Sequence, residues 1–374
     1  MVRSDVQKRI RGAVVLAGLF VHGALAFAAN SPPSVDLRLS LYGKGVDETY
    51  NRGERFGTEL EATLRHNFLP SLDLLGRIRF TAELGSAQAA FTQEYAPRQT
   101  IELREARLRW QPLPFLDFKA GAIDQDDWGA KILLDGQAFP GVREVVRVPV
   151  GDFYVEVGAE QAIANTPMVT FGSPVPRPGY PYFFMERAEV GFQRGDIAAE
   201  VHVGHFAFDR LPAGAAYNSR FLGNSVVGDS QQTAAFVHDF SGFLGGFSAK
   251  ARATSWLQPK VVFAALVNQG APWARGTSYL ASLENRIEFN DTFILAPQFL
   301  IFSMGEDASP ALYTSGDWGH NNHRGFGAGI NAELPAEHLE FGAAAVQAPV
   351  ITPSRFQSDW LYFTVFFRSH YDVL

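Results

Sequence analysis

The chain contains no cysteine, which excludes a disulfide framework, a thiolate metal site and a cysteine nucleophile together. It also lacks a basic excess. Lys plus Arg number 32 against 39 for Asp plus Glu, a net charge of -7, so nothing in the balance attracts phosphate backbones and nucleic acid is a poor partner. Beyond the first thirty residues no apolar run approaches eighteen, which excludes a bundle of transmembrane helices. Charged residues are scarce, at 19% against 47% hydrophobic, so the chain is not of the disordered class. What it has in quantity is Gly (35) and Phe (32), the mixture expected of many strands joined by turns.

The amino terminus reads as an export signal. Lys8, Arg9 and Arg11 precede an apolar run over 13–27, and Ala26-Phe27-Ala28 presents small residues at the spacing of a signal-peptidase site. A run of about fifteen residues falls short of the ~20 that span a bilayer. Residues 1–28 are therefore expected to be cleaved, leaving 29–374 as a single acidic, exported domain.

That domain alternates. Val35, Leu37, Leu39 and Leu41 interleave with Asp36, Arg38, Ser40 and Tyr42, a period of two that sorts side chains onto opposite faces of a strand. The pattern recurs with Phe56, Leu60, Ala62 and Leu64 against Glu59, Glu61, Thr63 and Arg65. It appears again with Leu74, Ile78, Phe80, Ala82 and Leu84 against Arg77, Arg79, Thr81 and Glu83. Further segments fall at 116–123, 142–148, 153–160, 184–193, 197–206, 247–255, 326–334 and 360–368, with no helical stretch between them. In the segment 100–110 the apolar residues change phase, from Ile101 and Leu103 to Ala106, Leu108 and Trp110. One residue near Arg104 or Glu105 must be extra, which predicts a β-bulge.

Connections come in two lengths. Short ones such as Leu69-Pro70-Ser71-Leu72, Gln111-Pro112-Leu113-Pro114 and Arg194-Gly195-Asp196 are turn chemistry. Long ones are expected at 43–54, 85–98, 124–141, 163–181, 209–230 and 305–321. Strands of about ten residues with alternating hydrophobicity, short turns on one rim and long loops on the other describe a transmembrane antiparallel up-and-down β-barrel. Aromatics near strand ends (Tyr180, Tyr182, Phe183, Phe184; Trp360, Tyr362, Phe366, Phe367) suit interfacial girdles. Seventeen segments can be marked, but an up-and-down barrel of this kind normally has an even number. Sixteen is the expected count, with fourteen or eighteen as alternatives, and the misdivision falls within 209–268.

The signal, the unit Arg104-Glu105-Ala106-Arg107-Leu108-Arg109-Trp110 followed by Leu116-Asp117-Phe118-Lys119-Ala120-Gly121, and the later Phe139-Pro140-Gly141-Val142-Arg143 resemble the channel-forming outer-membrane porins and export porins of Gram-negative bacteria. The resemblance is one of pattern over the whole mature chain. It implies outer-membrane localisation, contact with outer-membrane lipid and the assembly machinery, and a homotrimer. Such barrels usually finish on a terminal aromatic; this chain ends Tyr371-Asp372-Val373-Leu374.

Function then follows from the inward face. The phase assigns to the lumen Glu59, Glu61, Arg77, Arg79, Glu83, Arg107, Arg109, Lys119, Arg187, Glu189, Lys250, Arg252 and Arg286. Arg77, Arg79, Arg107 and Arg109 fall on adjacent strands and can form a basic wall, which orients polar solutes, or can pair across strands and keep the lumen wet. The expected function is passive passage of small hydrophilic solutes or ions. The alternatives are a transporter for a hydrophobic or polymeric substrate, with Phe171, Tyr180, Phe183 and Phe184 as material for an apolar pocket, and a closed structural barrel. No metal or cofactor site is expected: Asp124-Gln125-Asp126-Asp127-Trp128 lacks the spacing of a calcium loop, His202 and His205 fall on opposite faces, and His320-Asn321-Asn322-His323 offers two imidazoles without further ligands. Ser219, Ser230, His238 and His323 do not compose a catalytic set, so no enzymatic activity is expected.

Overall fold

The computed structural model describes residues 32–91, 96–128, 131–164, 180–290 and 292–372; the expected signal, Phe171 and the last two residues lie outside them. The period-two segments form a ring. In chain order the strands are β1 (Ser34–Asp47), β2 (Asn51–Leu69), β3 (Leu72–Ala89), β4 (Gln99–Leu113), β5 (Leu116–Asp124), β6 (Ala138–Val150), β7 (Phe153–Ile163), β8 (Tyr182–Arg194) and β9 (Ile197–Asp209). After two short strands, β10 (Val226–Val227) and β11 (Ala235–Phe236), follow β12 (Phe240–Lys250), β13 (Leu257–Asn268), β14 (Thr277–Asn290), β15 (Phe293–Met304), β16 (His323–Leu334), β17 (Leu339–Ala348) and β18 (Trp360–Asp372). Sixteen of them close into one antiparallel barrel in which β1 pairs with β18, and β10 and β11 form a separate hairpin. Closure removes every sheet edge, so each backbone N–H and C=O in the wall finds a partner, which lipid requires.

The faces divide as the alternation demands. On β9, Val201 and Val203 are 58% and 61% exposed on the outside, whereas Glu200, His202, Phe206 and Phe208 point inward. On β18, Leu361, Phe363 and Val365 are each about half exposed. The outside of this barrel is apolar, the inverse of a soluble protein.

The bulge falls where the phase break places it. Arg77 of β3 pairs with Glu105 and Ile78 with Leu103, so Arg104 is the unpaired residue. That single insertion keeps Ile101, Leu103, Leu108 and Trp110 all facing out.

Three expectations are corrected. Segment 43–54 is a hairpin with a three-residue tip, and Gly43 and Gly45 are strand positions over which neighbouring rings lie: a Cβ on Gly43 would meet the Phe56 ring at 3.1 Å and one on Gly45 the Phe363 ring at 2.1 Å. The strand expected at 247–255 is β12, seven residues earlier at its start; Ala251 and Ala253 prolong the alternation into a turn. The misdivision expected within 209–268 falls where the wall is interrupted: between β9 and β12 the chain forms a helix, α1 (Ala213–Phe221), whose Ala215, Ala216 and Ser219 are buried, and the β10–β11 hairpin, neither of them part of the barrel. The chain ends of the wall and the β2–β3, β4–β5, β6–β7, β8–β9 and β16–β17 turns then share one rim, and the β1–β2 tip lies with the long β5–β6 and β15–β16 loops on the other.

Candidate functional site: the barrel interior

Residues directly opposite in an antiparallel ladder share a face, so the interior can be followed strand to strand. One row runs Asp73, Arg109, Lys119, Arg143, Glu160, Met185, Phe206 across β3 to β9. It begins with charges near the turn rim and ends with apolar groups near the loop rim. The lumen is thus split by chemistry along its length, a division that strand alternation alone does not reveal.

Most of the inward charges are paired. Arg77 donates to Glu105 and to Asp124, each at 2.7 Å. Arg107 donates to the other oxygen of Glu105 at 2.5 Å, and Arg109 to Asp117 at 2.7 Å. Arg79 lies 3.3 Å from Glu59 and 2.9 Å from Glu61. The basic wall is therefore a neutralised lattice, cross-strand pairs rather than an open positive face. Glu83, only 5% exposed, accepts from the Tyr42 hydroxyl at 2.6 Å and from Arg55. Arg187 bridges Glu189 and the carbonyl of Trp128, and Glu189 also accepts from the Tyr154 hydroxyl. Arg286 pairs with Glu333 at 2.8 Å. Lys119 lies between Arg109 and Arg143 in register, and Lys250 faces Lys260 on β13. Arg252 lies past the end of β12, in the turn, where it meets Glu288 and Asp196.

Toward the loop rim aromatic side chains fill part of the interior. Phe139, Phe183, Phe206, Phe240, Phe302 and Trp360 point inward and are almost wholly buried. Two loops cover them. The first, between β5 and β6, begins with a 3-10 turn, Gln125–Trp128, and is pinned to the wall by a pair with no exposed surface: Arg143 donates to Glu160 at 2.6 Å, and Gln125 donates to the other oxygen of Glu160 at 2.6 Å. The Arg143 guanidinium lies over Trp128, its Cζ 4.6 Å from the ring centroid. The indole occupies the space left by Gly158, where a Cβ would come within 2.9 Å of it. Beyond it Ile132, Leu133 and Leu134 are buried.

The second loop, 305–322, crosses the mouth. It leaves β15 and returns to β16, yet its Tyr313 packs against Phe139 of β6 and Phe208 of β9 at ring distances of 5.4 and 5.9 Å and donates to the Ala164 carbonyl beyond β7. In the ring β6 lies nearly opposite β15 and β16, and β9 about a quarter of the way round from them. Burial alone pushes the Tyr313 phenol well above its ordinary range. The crossing is tied down by amide side chains: Asn224 and Asn321 each donate to the carbonyls of Glu306 and Ser309. Asp307 accepts from the backbone and hydroxyl of Ser225; burial raises its carboxyl pKa, against the pull of those hydrogen bonds. Of the expected girdle, Phe183, Trp360 and Tyr362 belong to this inner packing, with the Tyr362 hydroxyl on Asp317, while Tyr180 is exposed.

The remaining candidates stay apart. Ser219 Oγ accepts from the Leu312 amide, Ser230 contacts Thr233, and His238 lies 3.8 Å from Asp307. His323 is held by the carbonyls of Asn321 and Ser358, and His320 faces Thr314. His205 sits on the outside beside Phe184 and Phe243, away from inward His202. Among the described residues no three His, Asp or Glu side chains converge on a metal position.

The barrel superposes on solved structures of outer-membrane proteins. The OmpT loop-deletion variant of Vibrio cholerae, an outer membrane protein, superposes with a TM-score of 0.52 at 14% identity over 91% of this chain and 100% of that one. OprB of Pseudomonas putida gives 0.55 at 12% identity over 91% and 94%, and a trimer form of OmpT gives 0.51 at 11% over 91% and 100%. The fold is that of an outer-membrane β-barrel. No protein-family model matches the sequence, and no curated relative matches it.

Proposed function

We propose that the protein is a porin-like channel of the outer membrane of a Gram-negative bacterium, through which small hydrophilic solutes or ions pass passively. One observation carries the reading. Lipid-suited side chains such as Phe56 (68% exposed) and Val203 (61%) cover the outside, while Glu61, Glu105, Arg143 and Glu189 are turned in. Water and solute then have a path only through the interior. On this reading Glu59, Glu61, Arg77, Arg79, Glu83, Arg107, Arg109, Lys119, Arg187, Glu189, Lys250 and Arg286 line the path, and Arg252 sits at its turn-rim opening. Outer-membrane lipid surrounds the barrel, and a homotrimer is proposed as its assembly. Residues 1–28 are the cleaved signal, so the mature chain begins at Ala29. The test is planar-bilayer conductance of purified, refolded protein: ohmic steps support the channel.

A second reading, a closed barrel, is favoured by the loop bridge through Tyr313. Silence of the wild type with conduction by a Tyr313→Ala variant supports it. Silence of both removes the channel.

A further inference from the structure

We infer that the turn-rim half of the lumen binds a small multivalent anion, phosphate or carboxylate in kind, between Lys250 and Lys260; this rests on the proposed reading only in taking the lumen to be water-filled. A cavity of about 850 Å³ opens there, bounded toward the loops by Trp128 and Arg187 and toward the rim by Gln111, Pro114 and Gln193. That volume is within the roughly 300–1,000 Å³ of small-molecule sites. Its lining carries seven cationic side chains against four carboxylates, inside a chain whose net charge is -7. The sign is therefore inverted locally, which concentrates anions in a cleft with low-dielectric walls.

The cations are not equivalent. Arg107, Arg109 and Arg187 are committed to Glu105, Asp117 and Glu189. Lys250 and Lys260 are exposed to the cavity and stand directly opposite each other on β12 and β13. Like charges in that relation repel. Lys260 has Glu284 opposite on its other side, but among the described residues neither lysine is within 4.0 Å of a carboxylate. Across the cavity Arg147 lies flat on the Tyr154 ring at 3.6 Å, 3.8 Å from Glu156, with its guanidinium half exposed. A multivalent anion between the two ammonium groups relieves their repulsion and gains the field of Arg147. Ammonium groups are mobile point charges rather than fixed forks, so charge number rather than planar shape is selected.

The test is equilibrium binding in detergent, with no membrane, so that it is independent of conduction. Sodium pyrophosphate and trisodium citrate are titrated separately into refolded protein by calorimetry at low ionic strength. Saturable binding of either at one site is expected. It should weaken roughly tenfold or more in Lys250→Gln/Lys260→Gln and persist in Lys250→Arg/Lys260→Arg. Binding of pyrophosphate alone assigns a phosphoryl ligand; binding of both assigns multivalent anions in general. Absence of saturable binding, or equal binding by the double Gln variant, overturns the site. Both lysines are exposed, so the substitutions leave the wall intact, and a retained strand spectrum by circular dichroism verifies it. Binding without conductance removes the channel and leaves the site; conductance without binding does the reverse.

Discussion

The Arg143–Glu160 pair is the anchor of the inward loop, and its loss is the sharpest perturbation available. Both side chains have no exposed surface. Glu160 accepts from Arg143 and Gln125, and Arg143 also reaches the Asp124 carbonyl at 3.2 Å and covers Trp128. Removing one partner of such a pair strands the other charge in a low-dielectric setting and costs about 3–5 kcal/mol. That is roughly two to nearly four powers of ten in an equilibrium constant. The assay is urea unfolding in detergent of Glu160→Leu, Arg143→Met and the double variant. Each single change should shift the midpoint strongly downward. The double variant should recover most of the loss, because apolar groups of similar volume replace a buried pair at little or no cost. Single variants within about 1 kcal/mol of wild type, or a double variant as poor as the sum of the singles, would refute the reasoning.

Tyr313→Ala removes the ring between Phe139 and Phe208, at a cost of about 3–5 kcal/mol for a buried aromatic. In bilayers its conductance should exceed that of the wild type; equal conductance means the bridge does not narrow the path. Glu105→Gln withdraws the carboxylate shared by Arg77 and Arg107, so the reversal potential in a salt gradient should move toward anion preference, and an unmoved potential contradicts the pairing. Burial raises the carboxyls of Asp135 and Asp307 above the ordinary 3.8. A raised folded-state pKa means that the folded loops bind these protons more tightly. Their contribution to loop stability is greatest at low pH and declines as pH rises through the window opening near 3.8. Hydrogen exchange of loop 305–322, corrected for intrinsic rate, should show this decline in the wild type and less of it in Asp307→Asn; a decline of equal size in both counts against it.

Much of the wall was legible because lipid on one side and water on the other impose a strict period of two. The bulge at Arg104 was legible for the same reason, since one extra residue flips every later side chain. Strand ends were harder. Gly43 and Gly45 resemble loop residues until Phe56 and Phe363 are seen covering them, and Gly242, Gly245 and Gly246 hide the start of β12. The helix at Ala213–Phe221 follows Pro212 and is rich in alanine, but its burial depends on loop 305–322, a contact between residues about ninety positions apart. The charged lining could be placed on a face but not paired, since pairing depends on register. The apolar mouth was hidden most deeply: Phe183, Phe206 and Trp360 look like lipid-facing aromatics until the phase is carried to the strand ends and the loops are found folded over them.

The central claim is that side chains alternate between lipid and a water-filled path. The absence of cysteine makes it directly testable with single replacements on neighbouring positions. Ser248→Cys and Glu200→Cys point inward, where Ser248 donates to Glu200 at 2.9 Å, and Val201→Cys and Val203→Cys point outward. With the protein in bilayers, a charged, membrane-impermeant thiol reagent should react with the first two and change their conductance, and leave the second two untouched. Reaction at Val201 and Val203 with protection at Ser248 and Glu200 would contradict the account.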